Sequence, residues 1–218
     1  MLTVLLTRHG HTDRSEPDQY LGQYVEATLT ERGRRDAEAL AARLREVPID
    51  RAITSPLSRA AETAAILVAG HRLELELDDR MLEMDYGAWE GMTVEEVANR
   101  LPEEFEQYEH NPSLHRVGGG ENGEQVARRV STVIDDLLAW AGSTGDDSTC
   151  LLVGHSSVNR VLLATVLGVP LADYRRRFQV DWASLTVLRW PRDVAAGPLM
   201  LLANDVAHVR GMTGVTWD

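Results

Sequence analysis

The sequence predicts an α/β fold: a three-layer α/β/α sandwich on a mostly parallel sheet, with a small helical insertion. Three observations predict it. Short apolar runs alternate with longer stretches of helical periodicity, and that alternation implies parallel strands joined by crossover helices. Two of the runs, residues 2–7 (LTVLLT) and 149–154 (TCLLVG), are continuously apolar, as strands covered on both faces are. The length of 218 residues suits one domain with an insertion better than two full domains of roughly 150 residues each. A single domain over 1–218 is therefore expected, its insertion at about residues 93–117.

After the first strand, Thr30 reads as the N-cap of a helix whose apolar positions, Ala37, Leu40, Ala41 and Leu44, follow a 3.6-residue spacing. Residues 50–54 (DRAIT) form a second strand. It ends in Ser55-Pro56, read as a cap with proline at the first helical position. Leu57, Ala60, Ala61, Ala64 and Val68 give the following helix its apolar face. Residues 73–77 make a third, alternating strand at an edge. Residues 93–117 are polar, acidic and broken by Pro102 and Pro112, so they read as a helical insertion outside the core. Beyond three glycines at 118–120 comes a long helix carrying Val126, Val130, Val133, Ile134, Leu137 and Leu138 on one face, with Gly142 near its end. Residues 158–167 form a buried helix stopped by Gly168 and Pro170. Residues 184–190 and 199–202 are closing strands.

Composition narrows the function classes. Hydrophobic residues make up 44% and charged residues 26%, ordinary for a globular chain. Twenty-two basic against thirty-four acidic residues leave a net charge of −12, a poor match to a nucleic-acid backbone. A small anionic ligand stays compatible, because a pocket can be locally positive in an acidic protein. The single cysteine, Cys150, can form neither an internal disulfide nor a thiolate metal site, and its apolar neighbours make it a buried strand thiol. There is no basic n-region before the first apolar run and no apolar stretch of membrane-spanning length. The expectation is a cytoplasmic protein with no membrane partner.

In parallel sheets the ligand sits beyond the carboxyl ends of the strands. Arg8 and His9 directly follow the first strand, Ser55 to Arg59 follow the second, and His155 follows the strongest. Arginine and histidine on successive residues at a strand end call for something anionic, and Gly10 lets backbone approach closely. Arg59, just inside a helix N-terminus, adds positive potential. Two arginines, two histidines and a helix N-terminus suit a tetrahedral dianion, since guanidinium matches phosphate through its planar fork of donors.

Four ordered blocks carry a resemblance: LTRHGHT at 6–12, SPLSRAAETA at 55–64, LEMDYGAWEG at 82–91 and VGHSS at 153–157. Together they resemble the histidine phosphatase superfamily, with its phosphoglycerate-mutase-like fold. The resemblance implies phosphoryl transfer without metal or cofactor. His9 would be the nucleophile, Arg8, Arg59 and His155 would hold the phosphate oxygens, and Glu83 would be the general acid and base. It also implies a backbone carbonyl on the second nitrogen of His9. The substrate would be a small phosphorylated metabolite and the product inorganic phosphate; a homodimer stays open. A phosphoglycerate mutase and a non-catalytic phospho-ligand binder are the alternatives.

The pattern departs from the family at His11, where most relatives carry glutamate, and at Ser15, which aligns with a frequent asparagine. Ser15, Gln23 and Ser156 are the expected substrate-binding residues. Tyr20, Tyr24, Tyr86, Trp89, Tyr108 and Arg116 are further candidates for a specificity rim. His9, His11 and Asp13 are close enough in sequence to suggest a metal, but no metal site is expected. The run Arg175-Arg176-Arg177 reads as a solvated helix end, with a dimer or substrate-tail contact as the alternative.

Overall fold

The computed structural model describes residues 1–192 and 197–210, so residues 193–196 and 211–218 of the expected domain lie outside the described residues. Six strands form one sheet: β1 (Leu2–Arg8), β2 (Arg51–Thr54), β3 (Leu75–Leu77), β4 (Ser148–Gly154), β5 (Leu185–Trp190) and β6 (Leu199–Asp205). Their order is β3-β2-β4-β1-β5-β6. The pairings β3–β2, β2–β4 and β4–β1 are parallel, while β1–β5 and β5–β6 are antiparallel. The sheet is thus mixed, with parallel pairing over the half that positions the site.

Alternation along the central strands divides the core in two. Leu5, Leu151 and Val153 face one side, where they pack with Leu40 and Leu44 of α1 (Glu31–Leu44) and Ala60, Ala64 and Leu67 of α2 (Ser58–Val68). Val4, Leu6, Cys150 and Leu152 face the other. There they meet Val130, Val133 and Leu137, which project from the helix that follows the insertion, together with Val158, Val161 and Leu162 of the helix that follows β4. Both central strands are covered on each face, which is why their sequences are apolar throughout. Cys150 is free and buried, and burial pushes its thiol up to about 12.

Caps fix several helix starts. The Thr30 side chain accepts from the Gly33 amide at the head of α1. Two short helices, α3 (Val94–Arg100) and α4 (Pro102–His110), make up most of the insertion. Asn122 and Gln125 form a capping box for α5 (Gly123–Thr144). The helix after β4 is α6 (Ser156–Leu167), closed by Gly168 in the left-handed region. Two one-turn helices, α7 (Tyr174–Arg177) and α8 (Ala207–Arg210), complete the chain order. Among the described residues no helix is long and apolar enough to cross a membrane.

α5 ends two residues beyond Gly142, as expected, and Gly145 at a φ of 75° provides the left-handed cap. Two expectations need correction. α2 begins at Ser58, not at Pro56; Ser55 accepts from the Leu57 amide, so this segment is a turn before the helix. The insertion is not outside the core: Val97, Tyr108 and Val117 are fully buried, and Tyr108 packs edge-on against Trp89 at 5.4 Å.

Candidate active site

The parallel register of β1 and β4 sets Arg8 opposite Gly154. The residues that follow, His9 and His155, therefore leave the sheet side by side. The His9 amide donates to the Gly154 carbonyl at 3.0 Å, and the two imidazole rings lie 5.1 Å apart, centroid to centroid. β2 pairs with the other side of β4, and the turn after it delivers Arg59 from the first turn of α2.

His9 is held through its neighbour. Its Nδ1 lies 2.8 Å from the Gly10 carbonyl oxygen, so Nδ1 carries the proton and Nε2 keeps its lone pair. The Gly10 amide in turn donates to Thr63 Oγ1, and that hydroxyl donates to the Arg59 carbonyl. One chain of contacts thus links the His9 tautomer to the helix that bears Arg59. A side chain at residue 10 would not fit, since a Cβ there would lie 2.7 Å from the Gly33 carbonyl oxygen.

Arg59 is buried and Arg8 half-buried, and backbone carbonyls anchor both. Arg59 is 1% exposed and donates to the Gly22 carbonyl at 2.7 Å. Gly22 makes that turn at a φ of 54°. Arg8 donates to the Val180 carbonyl at 2.9 Å, and its guanidinium lies 4.8 Å from the centre of the Trp182 ring. Neither ring nitrogen of His155 finds a hydrogen-bond partner among the described residues, although the side chain is fully buried.

Glu83 arrives from the loop after β3 and is fixed at the head of α6. Its Oε1 accepts from the Met84 and Val158 amides at 2.8 and 3.0 Å, and its Oε2 accepts from the Ser157 amide at 3.1 Å. Met84 and Trp89 turn into the core, Tyr86 shares the cavity wall, and the carboxyl group sits among backbone N–H groups. Gln23 and Arg129 both donate to the Glu83 carbonyl oxygen, at 2.8 and 3.0 Å, which fixes the backbone of this residue as well.

His9, Arg8, Arg59, Glu83, Ser15 and Ser156 all line one cavity of about 150 Å³. Of the expected substrate-binding residues, Gln23 does not: its amide is engaged with Glu83 and Glu121. Tyr20, Tyr86 and Tyr108 reach the lining. Trp89 is core, Tyr24 is exposed, and Arg116 donates to the carbonyls of Gly119 and Gly120. His11 turns to Thr30 Oγ1 and Glu16 Oε1 at 3.0 and 3.2 Å, tying down the entry to α1. Among the described residues no group of three or more histidine, cysteine or carboxylate side chains is arranged to hold a metal.

Asp18, Arg160 and Trp182 also line the cavity and were not anticipated, and Arg175 joins them. Arg160 had a legible signal, because it lies one helical turn beyond Ser156 and shares its face. Arg175 corrects the reading of a solvated arginine run. It is half-buried, pairs with Glu109, and stacks 4.5 Å from the Tyr108 ring centre, while Arg176 and Arg177 are exposed.

Burial, reinforced by the Arg8 and Arg59 charges, holds His9 well below the ordinary histidine value of 6.5. Burial also depresses His155, reinforced by Arg59, His9 and Arg8. Both rings stay neutral when folded, whereas in the unfolded chain they take up protons below about 6.5. In that window the unfolded state binds more protons. This contribution to stability is therefore complete above about 6.5 and is lost as the pH falls toward the depressed folded values, by at most about 1.4 kcal/mol per pH unit for each ring. Denaturant unfolding from about pH 7.5 to about pH 5 is expected to report that loss, and His155→Gln, which takes up no proton, is expected to flatten it. An unchanged slope in the variant would remove the assignment.

The family model of the histidine phosphatase superfamily (branch 1) matches residues 4–199. Phosphoserine phosphatase 1 of Hydrogenobacter thermophilus is 31% identical over 86% of this chain and 86% of its own. The probable phosphoglycerate mutase GpmB of Yersinia enterocolitica is 30% identical over 96% of this chain and 95% of its own. Among solved structures, a mycobacterial glucosyl-3-phosphoglycerate phosphatase in complex with VO3 superposes with a TM-score of 0.84 at 26% identity, covering 93% of this chain and 98% of that one.

Proposed function

The chain belongs to the histidine phosphatase superfamily, and from that premise we propose that it is a metal-independent phosphatase that hydrolyses a small phosphomonoester through a phosphohistidine on His9. The observation that carries the reading is the His9 tautomer: a buried imidazole whose Nδ1 proton is committed to the Gly10 carbonyl and whose Nε2 keeps its lone pair in a cavity lined by Arg8 and Arg59. A neutral ring beside fixed cations is a competent nucleophile toward a dianion.

In the first step His9 Nε2 bonds to phosphorus and the P–O bond to the alcohol breaks. Glu83 gives its proton to the departing oxygen. Arg8, Arg59 and His155 hold the remaining phosphoryl oxygens, where positioning and charge stabilisation supply most of the acceleration. In the second step water attacks phosphorus and Glu83 takes its proton. The P–N bond then breaks, and inorganic phosphate leaves a neutral His9. Ser15 and Ser156 line the approach.

The test is turnover of an aryl phosphate in excess chelator, followed by rapid quench with labelled substrate. The expected results are undiminished hydrolysis and a protein-bound phosphoryl group that is acid-labile and base-stable. A well-folded protein that turns over no phosphate ester would overturn the reading, as would one that binds phosphate without acquiring the label. The likeness to the mutase supports a second reading on the same residues, in which the phosphoryl group returns to the substrate. Interconversion of 3- and 2-phosphoglycerate that depends on a bisphosphate primer would select it.

A further inference from the structure

A groove adjoins the catalytic cavity and shares five of its lining residues: Arg8, Asp18, Arg160, Arg175 and Trp182. Five arginines and two aspartates line the groove, an excess of positive charge in a protein whose net charge is −12. Most of these charges are already engaged. Arg175 is paired with Glu109, and Arg176 donates to the Glu109 carbonyl. Asp181 accepts from Gln179 and Asn204.

Arg160 differs. It projects from the first turns of α6, one turn beyond Ser156, and lines both spaces. Among the described residues its buried Nε has no hydrogen-bond partner and no carboxylate lies within ion-pair distance of it. A guanidinium with an unsatisfied buried donor, beside a phosphoryl site already supplied by Arg8 and Arg59, is surplus to one phosphate.

We propose that this groove is a second anion subsite centred on Arg160, so that the preferred substrate is a phosphomonoester whose alcohol carries another anionic group, a carboxylate or a second phosphate. This rests on the phosphatase reading and deepens it. Asp18, which lies near Arg8 and Arg160, offsets part of the charge, and with Asp181 it makes the groove unfavourable to large polyanions.

The experiment compares kcat/KM for three alkyl phosphates: one with a neutral alcohol, one bearing a carboxylate and one bearing a second phosphate. An aryl phosphate serves as the control for catalysis. The wild-type protein is expected to favour at least one anionic ester over the neutral one by about tenfold or more, and which of the two it favours identifies the second anion. Arg160→Gln is expected to remove most of that ratio, and Arg160→Lys to restore part of it, which a loss of fold would not do. Aryl phosphate turnover with no preference for an anionic ester overturns the subsite alone. So does a preference that Arg160→Gln leaves intact. Failure on every ester, the aryl control included, overturns the phosphatase reading beneath it.

Discussion

The His9→Ala protein is expected to lose turnover by at least about 10⁴-fold in kcat, the scale on which removal of an enzyme nucleophile acts, and to remain folded. The folding half of the expectation follows from local contacts. The His9 ring makes its hydrogen bond to the very next carbonyl, and the structural links of this segment run through backbone: the His9 amide to Gly154 and the Gly10 amide to Thr63. Alanine keeps both. It also removes a ring that must stay neutral in the folded state, so the variant should gain on wild type as the pH falls below about 6.5. Thermal or denaturant unfolding checks the fold, and steady-state turnover with rapid quench checks the chemistry. Residual activity above about 1%, or a phosphoryl label still carried by the variant, would assign the nucleophile elsewhere.

The chain announces its central strands because each is apolar on both faces, and it announces His9 and His155 because each follows such a run without a spacer. It does not announce that β1 and β4 are neighbours in matching register. That pairing joins residues about 146 apart, Leu2 with Ser148, and depends on how the whole sheet closes. The same distinction separates the site residues that were legible from those that were not. Arg59 follows from its place just inside a helix. Gln23 has a side chain suited to a ligand, but its partner is the Glu83 carbonyl, sixty positions away. Arg175 sits in a run that looks solvated, and turns inward only because Glu109 and Tyr108 of the insertion come to meet it. The insertion itself looks superficial because charged residues crowd its short helices, yet one side chain per helix, Val97 and Tyr108, is enough to anchor each in the core.

Glu83→Gln is the more demanding test, because the carboxylate has two kinds of work. It bridges the Met84, Ser157 and Val158 amides, and in the proposed reaction it moves a proton in both steps. A glutamine can present one oxygen to Met84 and Val158, but its NH₂ group then faces the Ser157 N–H, donor against donor. That conflict is expected to cost about 1–3 kcal/mol of stability and by itself would lower activity on every substrate alike. The proton role has a different signature. For an alkyl phosphate the leaving alkoxide needs the acid, so kcat/KM should fall by about 10²–10⁴-fold. For an aryl phosphate with a good leaving group the first step needs little help, and kcat/KM should stay within about tenfold of wild type. Hydrolysis of the phosphohistidine still needs the base, so kcat should fall on both substrates. With the aryl ester the intermediate should then accumulate, giving a burst of one aryl alcohol per active site before slow turnover. Equal losses of kcat/KM on the two esters, with no burst, would leave Glu83 as a structural cap of α6 and require another group for the proton.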